Sequence, residues 1–289
     1  MNTFHGRASL HTLRGPGVAI LISAGLALTA CGGAGTSSAA QTPTPSPTPL
    51  PPAGAQFTET GSVKLVTTVA PTGVTCSFPT LDGPEILMGV ATVDGTQGGY
   101  ITLSANTVFV RIGAGAGKTY TERDFSGPGV SNFDAAKGAS FNAQLTDDTP
   151  AGGNPGTVGT VTAVSGSVSC GNKTAGGGTI TISGDSSGGS ISGALTSLLV
   201  KCPAGKPFSI INGLTKVGSA PASVEIGGED GSYFASISTA STNYFYGSSA
   251  KGLYTLGNGH VIWNNAVLTQ TNPSGAGTIT IGGDATCGI

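Results

Sequence analysis

After residue 56 the chain alternates apolar and polar residues over short stretches and never sustains a helical pattern. No window of 11 or more residues in this region keeps the helical period without a Gly or Pro. Glycine accounts for 49 of 289 residues, and turn pairs such as Asp94-Gly95 and Asn258-Gly259 separate the alternating stretches. These features predict an all-β fold of short antiparallel strands, with at most one helical turn at 134–137.

The strands predicted from alternation fall into two groups. The first group is 62–68, 86–93, 100–103, 107–112, 140–145 and 157–168. The second group is 179–183, 195–200, 208–211, 222–226, 233–238, 243–246, 261–268 and 278–281.

The two groups show weak self-similarity. Residues 139–146 are similar to 261–269 with one insertion, and residues 159–171 are similar to 277–288. We therefore predict two tandem antiparallel units, each a β-sandwich or half-barrel, at 57–177 and 178–289.

The N-terminus has the pattern of a secretory signal. Residues 1–16 carry Arg7 and Arg14 and no acid, and residues 17–30 are apolar or small. This apolar run is shorter than the ~20 residues of a membrane-spanning helix.

The sequence Leu28-Thr29-Ala30-Cys31-Gly32 resembles the lipobox of bacterial lipoproteins. The resemblance implies diacylglyceryl transfer to Cys31, cleavage after Ala30 and a globular part outside the cytoplasm. The alternative is an ordinary signal peptide in which Cys31 is incidental.

Residues 31–56 are predicted to be the lipidated cysteine and a disordered tether. The stretch is rich in Gly, Ser, Thr and Pro and has nothing to bury. Its Gly/Ser part is typical of a flexible coil, and its Thr-Pro repeat of an extended polyproline spacer of ~3.1 Å per residue. Alternatives are recognition by a proline-binding module or O-glycosylation. The acceptors for glycosylation would be Thr42, Thr44, Ser46 and Thr48.

Four cysteines remain once Cys31 is assigned to lipid, and each predicted unit has one near its start and one near its end. An exported protein can keep disulfides, and four cysteines allow three pairings. The repeat favours Cys76–Cys170 and Cys202–Cys287, with Cys170–Cys202 across a Gly-rich connector as the alternative. Zinc is not expected, because the sequence has no Cys-x-x-Cys and only one histidine after Cys31.

The whole arrangement resembles the mycobacterial 19-kDa lipoprotein antigen family, here with a duplicated domain. The likeness rests on the lipobox, the tether and an all-β domain with a cysteine at each end. Its motifs are Val200-Lys201-Cys202, Val224-Glu225-Ile226 with Gly231-Ser232-Tyr233, residues 259–269, and Ala285-Thr286-Cys287. The resemblance implies a cell-envelope antigen without enzymatic activity.

One serine motif is a candidate catalytic site. Gly184-Asp185-Ser186-Ser187-Gly188 matches Gly-x-Ser-x-Gly, and His260 lies downstream in the order that hydrolases use. However, the motif is followed by a predicted strand instead of a helix, and His260 adjoins the turn Asn258-Gly259. We therefore interpret the motif as a hairpin or connector, with a serine hydrolase as the less favoured alternative.

Three further patterns favour structural interpretations. Residues 113–119 imitate a phosphate loop, but Ile112 stands where the first glycine should be and no helix follows. The acidic pairs Asp147-Asp148 and Glu229-Asp230 could contribute to a calcium site but fit a polar loop and a hairpin turn.

The second unit is rich in aromatic residues, which could bind a glycan or lipid if they shared an exposed face. These residues are Tyr233, Phe234, Tyr244, Phe245, Tyr246, Tyr254 and Trp263.

Charge and composition bear on the partners. Two of the 12 basic residues precede Cys31 and all 14 acidic residues follow it, so the mature part has a net charge near −4. A weakly acidic surface does not favour nucleic acid. The sequence predicts a membrane-anchored envelope lipoprotein with a structural or interaction role and neither enzymatic activity nor cofactor. Its expected partners are the membrane, through the lipid on Cys31, and an envelope glycan, lipid or protein. The alternative is a binding module for a lipid, glycan or small apolar ligand.

Overall fold

The structure, a computed structural model, describes residues 52–95, 97–114, 123–148, 160–203, 208–275 and 277–288. These residues belong to one compact unit. The signal stretch, Cys31 and the tether up to residue 51 lie outside the described residues. Nearly all of what is described is β-strand, so the predicted all-β class is confirmed. We refer to residues 52–176 as the first half and to residues 177–288 as the second half.

The first half consists of two antiparallel sheets that face each other. The five-stranded sheet has the order β2-β1-β11-β9-β8, and the six-stranded sheet has the order β10-β7-β6-β5-β4-β3. One hydrophobic cluster, mostly aliphatic, fills the space between the two sheets. Its large aromatic members are Phe57, Phe125 and Phe141. The strands are β1 (Gly54–Gly61), β2 (Thr68–Val69), β3 (Val74–Thr80), β4 (Gly83–Ala91), β5 (Gln97–Leu103), β6 (Thr107–Ala114), β7 (Arg123–Pro128), β8 (Val130–Asp134), β9 (Gly138–Gln144), β10 (Thr146–Asp147) and β11 (Val161–Ser169), with a 3-10 turn at Pro71–Gly73.

The second half is one antiparallel sheet that curls until it is nearly closed. Its order is β13-β12-β21-β20-β18-β17-β16-β15-β14, and β19 pairs with β20 beside this path. The two ends approach each other, since β13 contacts β15. A second, separate hydrophobic cluster fills its interior. The strands are β12 (Gly177–Ser186), β13 (Gly189–Ala194), β14 (Thr196–Lys201), β15 (Ser209–Val217), β16 (Ala220–Glu229), β17 (Ser232–Ser238), β18 (Asn243–Ser248), β19 (Tyr254–Gly257), β20 (His260–Asn272) and β21 (Thr278–Thr286).

The halves share an order of strand pairing. The opening strand of each half pairs with the last strand, and the last strand pairs in turn with the strand that carries the first self-similar stretch: β1-β11-β9 in the first half and β12-β21-β20 in the second. Strands β3 to β7 and β14 to β18 each form a meander in chain order. Within the self-similar stretches, Phe141 lies opposite Gly166 and Trp263 lies opposite Gly283. Whether the halves are two copies of one unit stays a prediction.

Several strand boundaries differ from those expected, and the packing explains two of these differences. Residues 62–67 do not form a strand, because this segment crosses between the sheets to bury Val63 and Leu65 and makes the isolated bridge Leu65–Thr92 instead of a continuous ladder. Conversely, β1 begins at Gly54, three residues inside the predicted tether, because Ala55 packs into the core opposite Val168. The predicted turn at 134–137 is a tight turn closed by the Lys137 amide on the Asp134 carbonyl.

Candidate functional site

Two disulfides join the cysteines as the self-similarity predicted. Cys76 on β3 is bonded to Cys170, which follows β11, and Cys202, just after β14, is bonded to Cys287, just after β21. The bridges span 94 and 85 residues of sequence. Each links the edge strand of a meander to the last strand of the same half. The alternative bridge from Cys170 to Cys202 is not formed.

A cleft lies where the two halves meet. The edge strand β3 contacts β14 and β15, and the space beside this contact has a volume of about 660 Å³. Apolar side chains form much of its wall, among them Val74, Leu199 and Val200. Cys76 and Cys202 border it, so both disulfides hold its margins. We call this space the inter-half cleft.

Two lysines from different halves enter the inter-half cleft. The Lys201 ammonium donates a hydrogen bond to Thr75 Oγ1, and the Lys173 ammonium donates to the carbonyl oxygens of Pro71 and Val74. Within the described residues, neither ammonium group has a carboxylate within 4 Å. All the acceptors are therefore neutral oxygens.

The electrostatics of the cleft follow from this arrangement. Burial lowers the pKa of Lys201, the neighbouring positive charge of Lys173 lowers it further, and Glu225 opposes the change. The carboxylate of Glu225 accepts a hydrogen bond from the Asn212 amide at 3.2 Å. The cleft is thus a partly desolvated recess with two positive charges.

Ser186 and His260 are far apart. Ser186 Oγ donates to the Gly189 carbonyl at 2.9 Å inside the β12–β13 turn, and His260 Nδ1 lies 3.0 Å from Asp284 Oδ1. On β21, the neighbours of these regions are Ile279, which is opposite Gly184, and Thr286, which is opposite His260. Seven residues of strand at ~3.3 Å each place them more than about 20 Å apart. A hydrolase built on this pair is therefore excluded, because its serine and base must be within hydrogen-bond reach.

Three of the four residues in the acidic pairs have structural partners. Asp147 is paired with Arg123, and Asp148 accepts from Ser126. Asp230 closes the β16–β17 hairpin by accepting from the Tyr233 hydroxyl and the Gly252 amide, which lower its pKa. The described residues contain no group of three His, Cys, Asp or Glu side chains that could hold a metal ion. Of the phosphate-loop imitation, only Gly113 and Ala114, at the end of β6, lie within the described residues.

The aromatic residues of the second half do not form an exposed face. Tyr233, Tyr254 and Trp263 pack together inside the curled sheet, with ring centroids 5.4 to 5.8 Å apart. Tyr244 and Tyr246 are also buried, while Phe245 between them is 38% exposed. The structural interpretation therefore holds for most of these rings, and the alternative of a shared aromatic face does not, since alternation along β17, β18 and β20 sends most rings into the core.

Sequence reasoning missed Lys173 and Lys201 as a pair. The available signal was their position, since Lys201 directly precedes Cys202 and Lys173 follows Cys170 by three residues. Because each bridge fixes its cysteine near the meeting of the halves, a basic residue beside it is brought to the same place.

Comparison with protein-family models, curated proteins and solved structures finds no match to this chain. Among the described residues, none of the elements is a helix long and apolar enough to cross a membrane.

Proposed function

We propose that this protein is an exported lipoprotein, anchored to the cell membrane through Cys31, with a structural or interaction role in the envelope and no enzymatic activity. The observation that carries the proposal is the state of the five cysteines. Four are joined in two disulfides, which persist in oxidising compartments. The fifth, Cys31, directly follows the apolar signal stretch. Two or more acyl chains on Cys31 would anchor the protein stably, because a single acyl chain binds a membrane only marginally.

The fold is consistent with an interaction role. Residues that sequence reasoning considered for chemistry either stand at opposite ends of a sheet or are engaged in turns and ion pairs. We further propose that the halves are two copies of one unit, related to the mycobacterial 19-kDa lipoprotein antigen family. Support comes from the shared strand order and the equivalent cysteine positions.

The test is the intact mass of the mature protein extracted from membranes, before and after reduction and alkylation. We expect a chain that begins at Cys31 and carries acyl mass, with four alkylation sites that appear only after reduction. The matched control is Cys31→Ser, which should leave the membrane fraction and keep its four protected thiols. An unmodified Cys31 in membrane-extracted protein would contradict the proposal.

A binding function is the second candidate, and the inter-half cleft is the observation that favours it. Its volume lies within the ~300–1,000 Å³ of small-molecule sites. The aromatic residues of the second half, which sequence analysis considered for binding a glycan or lipid, mostly fill the core instead.

A further inference from the structure

The two lysines of the inter-half cleft differ from the other partly buried basic side chains in the described residues. Arg111 holds the Asp124 carboxylate with two hydrogen bonds of 2.7 Å, and Arg123 is paired with Asp147. Lys173 and Lys201 have only neutral oxygens as partners. Burying a charge is costly unless an opposite charge compensates it, and the Glu225 charge only partly offsets the burial of Lys201 beside Lys173, so the arrangement is an energetic liability in the unliganded fold.

An anion placed between the two ammonium groups would remove that liability. It would offset the burial and the Lys173 charge that together lower the pKa of Lys201, because its oxygens would replace the water lost on burial and its negative charge would oppose the repulsion. A site that stays positive and partly dry without its ligand is a general arrangement for binding negative charge. The two lysines come from different halves, so the site exists only where the halves are packed together.

The chemistry favours a phosphate ester. Its several acceptor oxygens can receive donors from both ammonium groups and from the Thr75 hydroxyl, and lysine binds phosphate as a point charge. Two cations match the two negative charges of a phosphate monoester. The apolar wall at Val74, Leu199 and Val200 offers a surface for an apolar group attached to it.

We propose that the inter-half cleft binds a phosphate ester carrying an apolar group, with Lys173 and Lys201 holding the phosphate and Val74, Leu199 and Val200 contacting the apolar part. The phosphate could belong to a lipid headgroup or to a small soluble phosphate. This inference goes beyond the proposed anchoring, and it holds or fails independently of the lipid on Cys31.

The test is calorimetric titration of the full mature chain, in a neutral detergent, with inorganic phosphate and with dihexanoyl phosphatidic acid. We expect the double variant Lys173→Gln/Lys201→Gln to lose roughly tenfold or more in affinity, because charge-assisted hydrogen bonds are the strong ones. The matched control is Lys216→Gln/Lys251→Gln, which removes two exposed lysines of the second half and should bind as the parent does.

The outcomes separate the sources of phosphate. Binding of both probes assigns recognition to the phosphate itself, and binding of the lipid alone assigns it to a headgroup with its apolar chains. Failure of both probes overturns the proposal, and so does equal affinity in the parent and the cleft double variant.

A second measurement avoids dependence on a variant that fails to fold. Lysines of the parent protein are ¹³C-methylated and followed by NMR during addition of the probe that binds, with resonances assigned from the single Lys→Gln variants. We expect the Lys173 and Lys201 signals to move together and the Lys216 signal to stay in place. Movement of all lysine signals to the same extent would overturn the site.

Discussion

The two halves pair their strands in the same order but join their sheets differently. In the first half strand β9 ends at Gln144. The next strand, β10, pairs with β7 in the other sheet through Thr146–Ser126 and Asp147–Phe125. In the second half β20 continues without interruption, pairing first with β21 and near its end with β18. We call this place in each half, residues 144–147 and 269–272, the sheet junction. In the first half the strand is interrupted at the junction and eleven strands form two sheets, whereas in the second half it is continuous and ten strands form one sheet.

Side chains at the sheet junction differ accordingly. The first half uses buried charges, since Arg123 is 4% exposed and paired with Asp147, next to the Arg111–Asp124 pair. The second half uses a buried neutral group, Gln270, whose amide bonds the Ser187 amide and hydroxyl and the Pro273 carbonyl. Where the backbone ladder is interrupted, charged side chains bridge the gap. Where the ladder continues, the hydrogen bonds of one side-chain amide, that of Gln270, connect the neighbouring segments.

Removing one disulfide at a time gives the largest expected effect and tests whether the halves are energetically separate. Each bridge closes a long loop, so replacing either pair with alanine should cost about 4 kcal/mol, within the usual 2–5. Trp263, the sole tryptophan, reports on the second half. In urea, Cys202→Ala/Cys287→Ala should shift the fluorescence transition to lower denaturant.

The other bridge is the matched control. Cys76→Ala/Cys170→Ala should leave the fluorescence transition in place and shift only part of the circular dichroism signal, because the halves have separate cores. An equal shift of the Trp263 transition in both variants would show that the two halves unfold as one.

A cavity in the aromatic core tests the second half alone. Trp263 is 2% exposed and stacks on Tyr254, so Trp263→Ala should lower the free energy of unfolding by about 3–5 kcal/mol. The control is Ile262→Ala on the outer face of β20, where the side chain is 40% exposed and the cost should stay within about 0.5–1 kcal/mol. Urea unfolding followed by circular dichroism measures both. Equal costs would contradict the assignment of Trp263 to the core.

The sheet junctions should differ in their sensitivity to substitution. Arg123→Met removes the buried Arg123–Asp147 ion pair and should cost about 2–3 kcal/mol, reduced from the value for a fully buried pair because Asp147 is partly exposed. Gln270→Met removes neutral hydrogen bonds and should cost about 1 kcal/mol. Urea unfolding at low and high salt distinguishes the two variants. As the salt concentration rises, the difference in free energy of unfolding from the parent should decrease for the Arg123 variant and stay constant for the Gln270 variant. A larger cost at Gln270 would reverse the comparison.

How much of this could be read from the sequence depended on whether the signal was local. Alternation and the turn at Asp230-Gly231 located most strands, and the self-similar stretches selected the disulfide pairs. Alternation failed at 62–67 because Val63 and Leu65 are buried in a segment that meets the end of β4 only through the isolated bridge Leu65–Thr92. It also could not tell the inside of the curled sheet from its outside, so it left open whether Tyr233 and Trp263 face the core or the solvent. Lys173 and Lys201 meet only through the packing of β3 against β14, which has no periodic signature.

The smallest expected effect concerns pH and distinguishes the halves by what titrates in them. Burial, with a contribution from the Asp82 charge, raises the pKa of Glu85 on β4 from 4.5 to about 7, whereas burial raises the pKa of Tyr246 in the second half to about 12. Folding therefore takes up a proton at Glu85 between pH 4.5 and 7, so the stability of the first half falls across this range and stays lower above it. Glu85→Gln should remove the decline and stabilise the protein at pH 8 by about 1 kcal/mol, an amount kept small by solvent screening, with little gain at pH 4.5. Thermal unfolding of the Glu85 variant at both pH values measures this, with the exposed Glu229→Gln as control. A gain of the same size at both pH values, or one shared by the Glu229 variant, would show that Glu85 does not set the pH dependence of the first half.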